Sequence, residues 1–269
     1  MTFNGAWTIK CTTQKINMII QYASDLHLEF PENKAFLKET PLHVVGDVLL
    51  LAGDIIPFAI MDQQNDFFSF ISDNFAKTYW IPGNHEYYYF DAETKHGVLN
   101  EKIRNNVFLM NNTSVIHDDV KFIFSTLWSK INPANEWQIE RSVNDFHVIK
   151  YGGARFSAQR FNELHADCLI FLKQELEIQA LTRNVVVTHH APTFMNYPEK
   201  HKGDILNDAF AVELFDLIET TNPNYWIYGH THANTPDFKI GKTKLLTNQL
   251  GYVKYGEHKL FSVDKHFNI

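Results

Sequence analysis

The hydrophobic positions of this chain predict a series of short buried strands, each followed directly by a polar loop. Five of these runs read IIQYAS, VLLLA, TYWIP, NVVV and NYWIY, and their length and their β-branched and aromatic content are typical of buried strands. After the second run, Phe67, Phe70, Ile71 and Phe75 recur at helical spacing, which indicates an amphipathic helix. The alternation predicts βαβ units, with parallel strands and with helices on the faces of the sheet.

The middle and the end of the chain have a different pattern. Strand-like segments read NVFLMNN, TSVIH, VKFIFSTLW, KTKLLTNQL and KLFSVDKHF, and FNELHADCLIFLKQELEIQALT predicts a long helix. Cys168 falls on the apolar face of that helix, which favours a buried structural thiol. Residues 128–161 have no clean periodicity, and such segments are often lids or substrate loops. Within them, Asn144 to His147 are interpreted as a loop turn, and the alternative is that this segment supplies a lid residue that touches the substrate.

Length and composition fit one domain. The 269 residues are 45% hydrophobic and 20% charged, and no linker-like tract divides them. We expect a single domain over residues 18–269. Residues 1–17 are interpreted as an N-terminal extension or a cloning artefact, because Met18 stands just before the first strand. The two cysteines make neither a disulfide framework nor a zinc ribbon.

Charge and hydropathy bear on location and partners. There is no membrane-length apolar run and no hydrophobic region of a signal peptide, so we expect a cytoplasmic protein without a membrane partner. The net charge of −7 argues against nonspecific binding of duplex nucleic acid, which requires a basic face. Nucleic acid is therefore not favoured as a partner, and the sequence does not determine the oligomeric state.

The polar loops after the five strands are rich in metal-ligand residues. They read DLH, GD, GNHE, THH and GHTH, and the candidate ligands in them are Asp25, His27, Asp54, Asn84, His189, His230 and His232. The carboxyl ends of parallel strands meet at one edge of a sheet, so these side chains are expected to converge. Asp25 and His27 alternate on a segment expected to be extended, as His230 and His232 do, and would face the same side.

The types of these residues bear on the metal. Asp, His and Asn without Cys suit hard-to-borderline divalent ions rather than a structural zinc. The Asp54 carboxylate has two oxygens and can bridge two ions. Seven ligands with one bridging carboxylate fit two metal ions better than one.

In their order, the five motifs resemble those of the calcineurin-like metallophosphoesterase superfamily over roughly residues 18–250. The resemblance implies an α/β fold, a four-layer α/β/β/α sandwich with two mixed sheets. It also implies two divalent metal ions. The first would be held by Asp25, His27, Asp54 and His232, and the second by Asp54, Asn84, His189 and His230. Mn²⁺ is favoured, with Fe, Zn, Ni and Mg as alternatives.

The resemblance and two-metal chemistry together predict hydrolysis of a phosphate ester by a metal-bridging hydroxide. His85 is implied to lie near the leaving group, as a general acid or as a charge stabiliser. His189 is preferred to His190 as the ligand, and His190 is expected beside the ligands or in the pocket wall. Glu86 either orients a histidine or caps a turn. Tyr87–Tyr89 are expected to pack rather than to stack on a base.

The second motif bears on the substrate. It reads GDIIPFA and lacks the Asp and Arg of the Gly-Asp-x-x-Asp-Arg-Gly motif in Ser/Thr protein phosphatases, including the acidic partner of the catalytic His. The chain looks more like the small bacterial and phage-type phosphoesterases. We expect a phosphodiesterase or phosphomonoesterase acting on a small or nucleotide-like substrate. The alternatives are a nuclease of the same superfamily and a non-catalytic, metal-stabilised interaction module. Arg141 and Arg155 are local candidates for a phosphate contact.

Overall fold

The computed structural model describes residues 18–178 and 183–269. In these ranges the strands, in chain order, are β1 (Ile19–Ala23), β2 (Val48–Ala52), β3 (Lys77–Ile81), β4 (Leu99–Lys102), β5 (Val107–Asn111), β6 (Thr113–His117), β7 (Val120–Ser125), β8 (Lys150–Tyr151), β9 (Ala154–Arg155), β10 (Arg183–Thr188), β11 (Tyr225–Ile227), β12 (Phe238–Ile240), β13 (Thr243–Leu246) and β14 (His266–Asn268). The helices are α1 (Pro31–Glu39), α2 (Asn65–Asn74), α3 (Glu136–Ser142), α4 (Asp145–Val148), α5 (Ala158–Glu177) and α6 (Phe215–Thr221). In the same ranges no helix is long and apolar enough to cross a membrane.

The strands form two six-stranded mixed sheets and one small hairpin. The first sheet has the order β14-β1-β2-β3-β5-β4, and the second has the order β12-β13-β11-β10-β7-β6. In both sheets the central pairs are parallel and the pairs at the edges are antiparallel. Strands β1, β2 and β3 therefore end at one edge of the first sheet, and β10 and β11 end together in the second.

Three hydrophobic cores separate four layers. Alternate residues of each strand enter different cores, because successive side chains point to opposite faces. In β2, Val48 and Leu50 enter the core between the sheets, while Leu49 and Leu51 pack on the outer face with Phe68 of α2. Helices α5 and α6 cover the outer face of the second sheet. This arrangement confirms the predicted α/β/β/α sandwich, and the burial of both sheet faces explains the uninterrupted hydrophobic runs.

Most of the predicted elements are present, with two corrections to detail. The amphipathic helix is α2, but its fully buried residues are Phe68 and Ile71, whereas Phe67 and Phe70 are only partly buried. The segment KLFSVDKHF is not one strand, because residues up to Leu260 form a 3-10 turn and only β14 pairs with a neighbour. The predicted long helix is α5 as far as Glu177, and Cys168 is buried on it as expected. Residues 179–182 of that prediction lie outside the described residues.

The aperiodic segment 128–161 is folded into short elements. It contains α3, α4 and the hairpin of β8 and β9. The loop-turn interpretation of Asn144 to His147 was wrong, because Asp145 begins α4 and its side chain is buried. The domain boundary at residue 18 and the lid role of 128–161 remain predictions, and residues 1–17 lie outside the described residues.

Candidate metal centre

The seven candidate ligands lie together where the two sheets end side by side. Asp25 and His27 follow β1, Asp54 follows β2, and Asn84 follows β3. The second sheet contributes His189 after β10, and His230 and His232 after β11. The parallel strands end at the same edge, so side chains far apart in the sequence approach within hydrogen-bond distance of one another.

Asp25, His27, Asp54 and His232 form one cluster, with ligand atoms within 4.8 Å of one another. The Nε2 atoms of His27 and His232 are 2.9 Å apart. His232 Nε2 lies 3.4 Å from Asp25 Oδ1, and His27 Nε2 lies 3.7 Å from Asp54 Oδ2. Two nitrogen atoms and two carboxylate oxygens at this spacing fit the coordination sphere of a divalent cation.

Asp54, His189 and His230 form a second cluster, and Asn84 adjoins it. His189 Nε2 is 3.3 Å from Asp54 Oδ1, 3.1 Å from His230 Nδ1 and 3.2 Å from Asn84 Oδ1. The two oxygens of Asp54 thus face different clusters. Asp54 Oδ2 is buried and has no hydrogen-bond partner among the described residues, an arrangement that a cation would satisfy.

The distal nitrogen of each ligand histidine meets an acceptor. His27 Nδ1 donates to Glu29 at 3.1 Å and His232 Nδ1 to Glu257 at 2.8 Å. His189 Nδ1 and His230 Nε2 donate to main-chain carbonyl oxygens of Ala52 and Ala209. These bonds fix the tautomers, so the other nitrogen of each ring carries a lone pair directed into the cluster. Facing lone pairs such as those of His27 and His232 repel one another unless a cation lies between them.

The ligand loops are not extended, contrary to the expectation from the Asp-x-His and His-x-His spacings. Five ligands have left-handed backbones, with φ values of 56° at Asp25, 46° at His27, 56° at Asp54, 72° at His230 and 47° at His232. This conformation costs of the order of 1 kcal/mol or more at each non-glycine residue and is concentrated at functional sites. The side chains converge because the loops turn sharply.

Two motif glycines are required by close packing. A Cβ atom at Gly53 would overlap the His189 ring, and one at Gly83 would overlap both the Asp54 carboxylate and the His189 ring. Gly53 also has a φ of 87°, which disfavours side chains with a Cβ. These glycines let neighbouring loops bring Asp54 and His189 into contact.

Glu86 holds two ligand loops together. This fully buried carboxylate accepts hydrogen bonds from the backbone N–H groups of Asp54, Ile55 and Gly83 and from the Trp80 indole. Burial, and then the nearby Asp54 carboxylate, raise the pKa of Glu86. Neither role expected for Glu86 was right, because its partners are backbone and indole donors rather than a histidine or a turn that comes after it.

Asp145 was not among the candidate site residues, yet it contacts one of them. Its buried carboxylate accepts a hydrogen bond of 2.8 Å from Asn84 Nδ2 and one of 2.9 Å from the Tyr88 hydroxyl. The bond from Nδ2 leaves Asn84 Oδ1 directed towards the second cluster. Asp145 lies 61 positions after Asn84. A short sequence motif cannot relate two residues so far apart in the chain.

His85 lies beside both clusters with a carboxylate on one side. Its Nδ1 is 2.8 Å from Glu29 Oε1, the same oxygen that contacts His27, and its Nε2 is 3.2 Å from the Tyr252 hydroxyl. Burial lowers the pKa of His85, but Asp54 and Glu29 outweigh burial and the pKa is raised. Burial raises the pKa of Glu29, but its hydrogen bonds to His27 and His85 lower it to about 2.

Glu29 is thus an acidic partner for His85. The absence of the Asp from the second motif led us to expect no such partner, and that inference was wrong. The sequence shows only that Glu29 stands two positions after His27, in DLHLE, and so lies near the first candidate ligands. No spacing rule in the sequence relates it to His85.

A cavity of about 340 Å³ opens over the clusters. Its lining includes Asn144 and Asp145 of the aperiodic segment, and Lys200 from the segment between β10 and α6. Arg141 and Arg155 do not line it, since Arg141 lies over the Trp137 ring and Arg155 bonds to backbone carbonyls of Phe146 and Glu140. Lys200, which the sequence did not single out, is the lysine that lines this cavity among the described residues.

The three consecutive tyrosines have separate environments. Tyr87 is fully buried against Trp128 and Phe58, as expected of a packing residue. Tyr88 stacks on His85 with ring centroids 3.9 Å apart, while Tyr89 is 77% exposed.

His190 is buried beside the ligands, at 4.2 Å between its ring centroid and that of His230. Its Nε2 atom has no hydrogen-bond partner among the described residues. It lies outside both ligand clusters.

The chain belongs to the calcineurin-like phosphoesterase family, whose model matches residues 20–234. It is a metal-dependent phosphoesterase, a hydrolase of phosphoric ester bonds. Its His and Asp clusters fit the divalent metal ions that this activity requires.

Three known proteins are similar to this chain in sequence or in structure. The chain is 32% identical over 262 residues to the uncharacterized protein L509 of Acanthamoeba polyphaga mimivirus, with 87% of this chain and 91% of that protein covered. Its fold is similar to that of the phosphopantetheinyl hydrolase of Mycobacterium tuberculosis, with a TM-score of 0.67, 15% identity, and 92% and 95% of the two chains covered. A dimetal phosphatase from Danio rerio aligns with a TM-score of 0.47 and 11% identity, over 86% of this chain and 87% of that chain.

Proposed function

We propose that this protein is a dinuclear metallophosphoesterase that hydrolyses a mono- or diester of phosphate with a small or nucleotide-like substituent. The observation that carries the proposal is the pair of ligand clusters that share Asp54. One ion would be held by Asp25, His27, Asp54 and His232, and the other by Asp54, Asn84, His189 and His230. We infer Mn²⁺ as the preferred ion, because the carboxylate and amide oxygens suit it, with Fe, Zn and Ni, which imidazole suits, as the alternatives.

When bound, two divalent ions lower the pKa of a water molecule and offset charge on the phosphoryl oxygens. The chain's own residues keep their ligand atoms in place. Glu29 and Glu257 orient the His27 and His232 rings through Nδ1, and Asp145 orients the Asn84 amide. Such supporting bonds typically change metal affinity about 10- to 100-fold.

His85 is the proposed general acid. Glu29 accepts from His85 Nδ1, which favours the imidazolium form and leaves an N–H at Nε2. The Nε2 proton passes to the departing alcohol oxygen as its bond to phosphorus breaks. Tyr88 stacks on the ring and fixes its plane. The carboxylate and the stacked ring thus hold one nitrogen of His85 towards the cavity.

The test is hydrolysis of p-nitrophenyl phosphate and bis(p-nitrophenyl) phosphate by the metal-loaded protein. We expect Mn²⁺-dependent release of nitrophenol from at least one of them. Asp54→Asn should lose both bound metal and activity, because Asp54 contributes to both clusters. The matched control is Asp66→Asn, at an exposed position of α2, which should retain both. A protein inactive on both esters with Mn²⁺, Fe²⁺, Zn²⁺ and Ni²⁺ would contradict the proposal.

A further inference from the structure

A second cavity adjoins the one over the metal-ligand clusters. It also has a volume of about 340 Å³, and its lining includes Phe30, Lys254 and Tyr255. Tyr252 and Asn144 line both cavities. The two cavities therefore adjoin, with these two residues in the wall that they share.

Tyr252 lies between His85 and the second cavity, and its position indicates which end of the substrate faces that cavity. Its hydroxyl is 3.2 Å from His85 Nε2, the atom proposed to protonate the leaving oxygen. Its ring lies 4.8 Å from the His27 ring and 4.4 Å from the His232 ring, centroid to centroid. The leaving oxygen must approach His85 Nε2, so the leaving alcohol lies next to Tyr252 and the second cavity.

The second cavity has exposed aromatic rings, and Lys254 Nζ lies over the Tyr255 ring, 6.0 Å from its centroid. Phe30 is 36% exposed and Tyr255 is 72% exposed. Both rings stand nearly perpendicular to Tyr252, at interplanar angles of 88° and 84°. Among the described residues, no ring stacks face to face on either. Such faces can stack on a flat ring of a ligand.

We propose that this cavity is the leaving-group subsite and that it selects alcohols carrying a planar aromatic ring, such as a nucleoside or a phenol. The inference rests on the proposed function and adds the substrate class. In the reaction, a water oxygen bonds to phosphorus and gives up one proton to solvent, and the bond to the leaving oxygen breaks. The aromatic alcohol departs with the proton from His85, which takes up a new proton from solvent. Phe30 and Tyr255 bind the ring of that alcohol, and Tyr252 separates it from the clusters.

The experiment compares two leaving groups of similar acidity, one flat and aromatic and one not. Phenyl and hexafluoroisopropyl esters serve, both as phosphate monoesters and as methyl phosphate diesters, with Mn²⁺-loaded protein. The readout is the ratio of kcat/KM for the phenyl ester to kcat/KM for the hexafluoroisopropyl ester. Stacking of one ring commonly changes binding by about 5-fold to more than 100-fold, so Tyr255→Ala should lower this ratio about 10-fold.

Two variants keep the comparison interpretable. Tyr255→Phe retains the ring and should restore the wild-type ratio. Trp137→Ala removes a similarly exposed aromatic side chain, 71% exposed, that lines neither cavity, and should leave the ratio unchanged. Binding of phenylphosphonate and methylphosphonate, measured by calorimetry without turnover, should show the same loss of preference in Tyr255→Ala.

The outcomes separate the two proposals. An active wild-type protein whose ester ratio and phosphonate preference are unchanged in Tyr255→Ala refutes the subsite and leaves the proposed function standing. A wild-type protein that hydrolyses neither ester series nor the nitrophenyl esters refutes the proposed function, and the subsite with it.

Discussion

His85 and Glu29 illustrate the roles of single residues in this site. His85 stands next to the candidate ligand Asn84 in a recognisable motif, so its position near the candidate metal centre could be expected from the sequence. Glu29 bonds to His85 across 56 positions of the chain, and only the folded loops bring them together. Substitution of either side chain tests the role that its contacts indicate.

His85→Ala should retain both metal ions but turn over slowly. Loss of a general acid commonly slows a reaction about 10²- to 10⁴-fold, and the loss should be greatest for poor leaving groups, which need protonation most. Metal content by elemental analysis and rates over a series of leaving groups test this. The exposed His266→Ala is the control. A His85→Ala protein without metal would show that His85 acts as a ligand instead.

Glu29→Gln should distinguish the effect of Glu29 on His85 from its effect on metal binding. Glutamine fills the same space but lacks the charge that favours the His85 imidazolium. At saturating Mn²⁺ we expect roughly 10-fold slower turnover of poor leaving groups, somewhat less than the loss of a general acid itself would cause, and a smaller effect on nitrophenyl esters. The exposed Glu39→Gln is the control. Equal slowing of all esters at saturating metal would argue against this role for Glu29.

At the scale of elements, the site depends on the loops after β2 and β3. The hydrophobic pattern predicted both strands, and the Gly-Asp and Gly-Asn-His motifs predicted the ligands at their ends. The pattern could not indicate that these loops are fastened together by Glu86, since its hydrogen bonds span up to 32 positions. It also could not show the left-handed turns at Asp25 and Asp54, because non-glycine residues rarely adopt them.

Glu86→Ala should destabilise the fold as well as the site. It would leave buried N–H groups of Asp54, Ile55 and Gly83 without an acceptor, and each such group costs about 1–3 kcal/mol. We therefore expect the free energy of unfolding to fall by at least about 3 kcal/mol, measured by urea denaturation of the metal-free protein. The exposed Glu199→Ala should change it by less than about 0.5 kcal/mol. A loss below about 1 kcal/mol would contradict the role of Glu86.

At the scale of the whole molecule, the candidate centre joins the two sheets. The first cluster combines Asp25 and His27 from the first sheet with His232 from the second, and Asp54 from the first sheet faces His189 from the second. A ligand that binds only the folded state stabilises it through mass action. Metal binding should therefore stabilise the association of the sheets as well as supply chemistry.

Mn²⁺ should raise the melting temperature. A concentration about 100-fold above the dissociation constant adds about 2.7 kcal/mol of stability for one site, which corresponds to roughly 5–10 °C for a chain of this size. Differential scanning calorimetry with Mn²⁺ and with EDTA measures the shift. Asp54→Asn should lose most of it and Asp66→Asn should retain it. An equal shift in Asp54→Asn would place the stabilising ions elsewhere.

The sequence by itself determined the strands and the candidate ligands, because hydrophobic periodicity and short motifs are local properties of the chain. The four-layer sandwich was implied by the resemblance of those motifs to a family. It also indicated the metal class, since that depends on the types of the ligand residues. Only the tertiary structure decided the partners: Glu29 for His85, Glu86 for the two loops, Asp145 for Asn84, and Tyr252 between two cavities. These contacts join loops from different strand ends, and their partners are set by how the two sheets pack together.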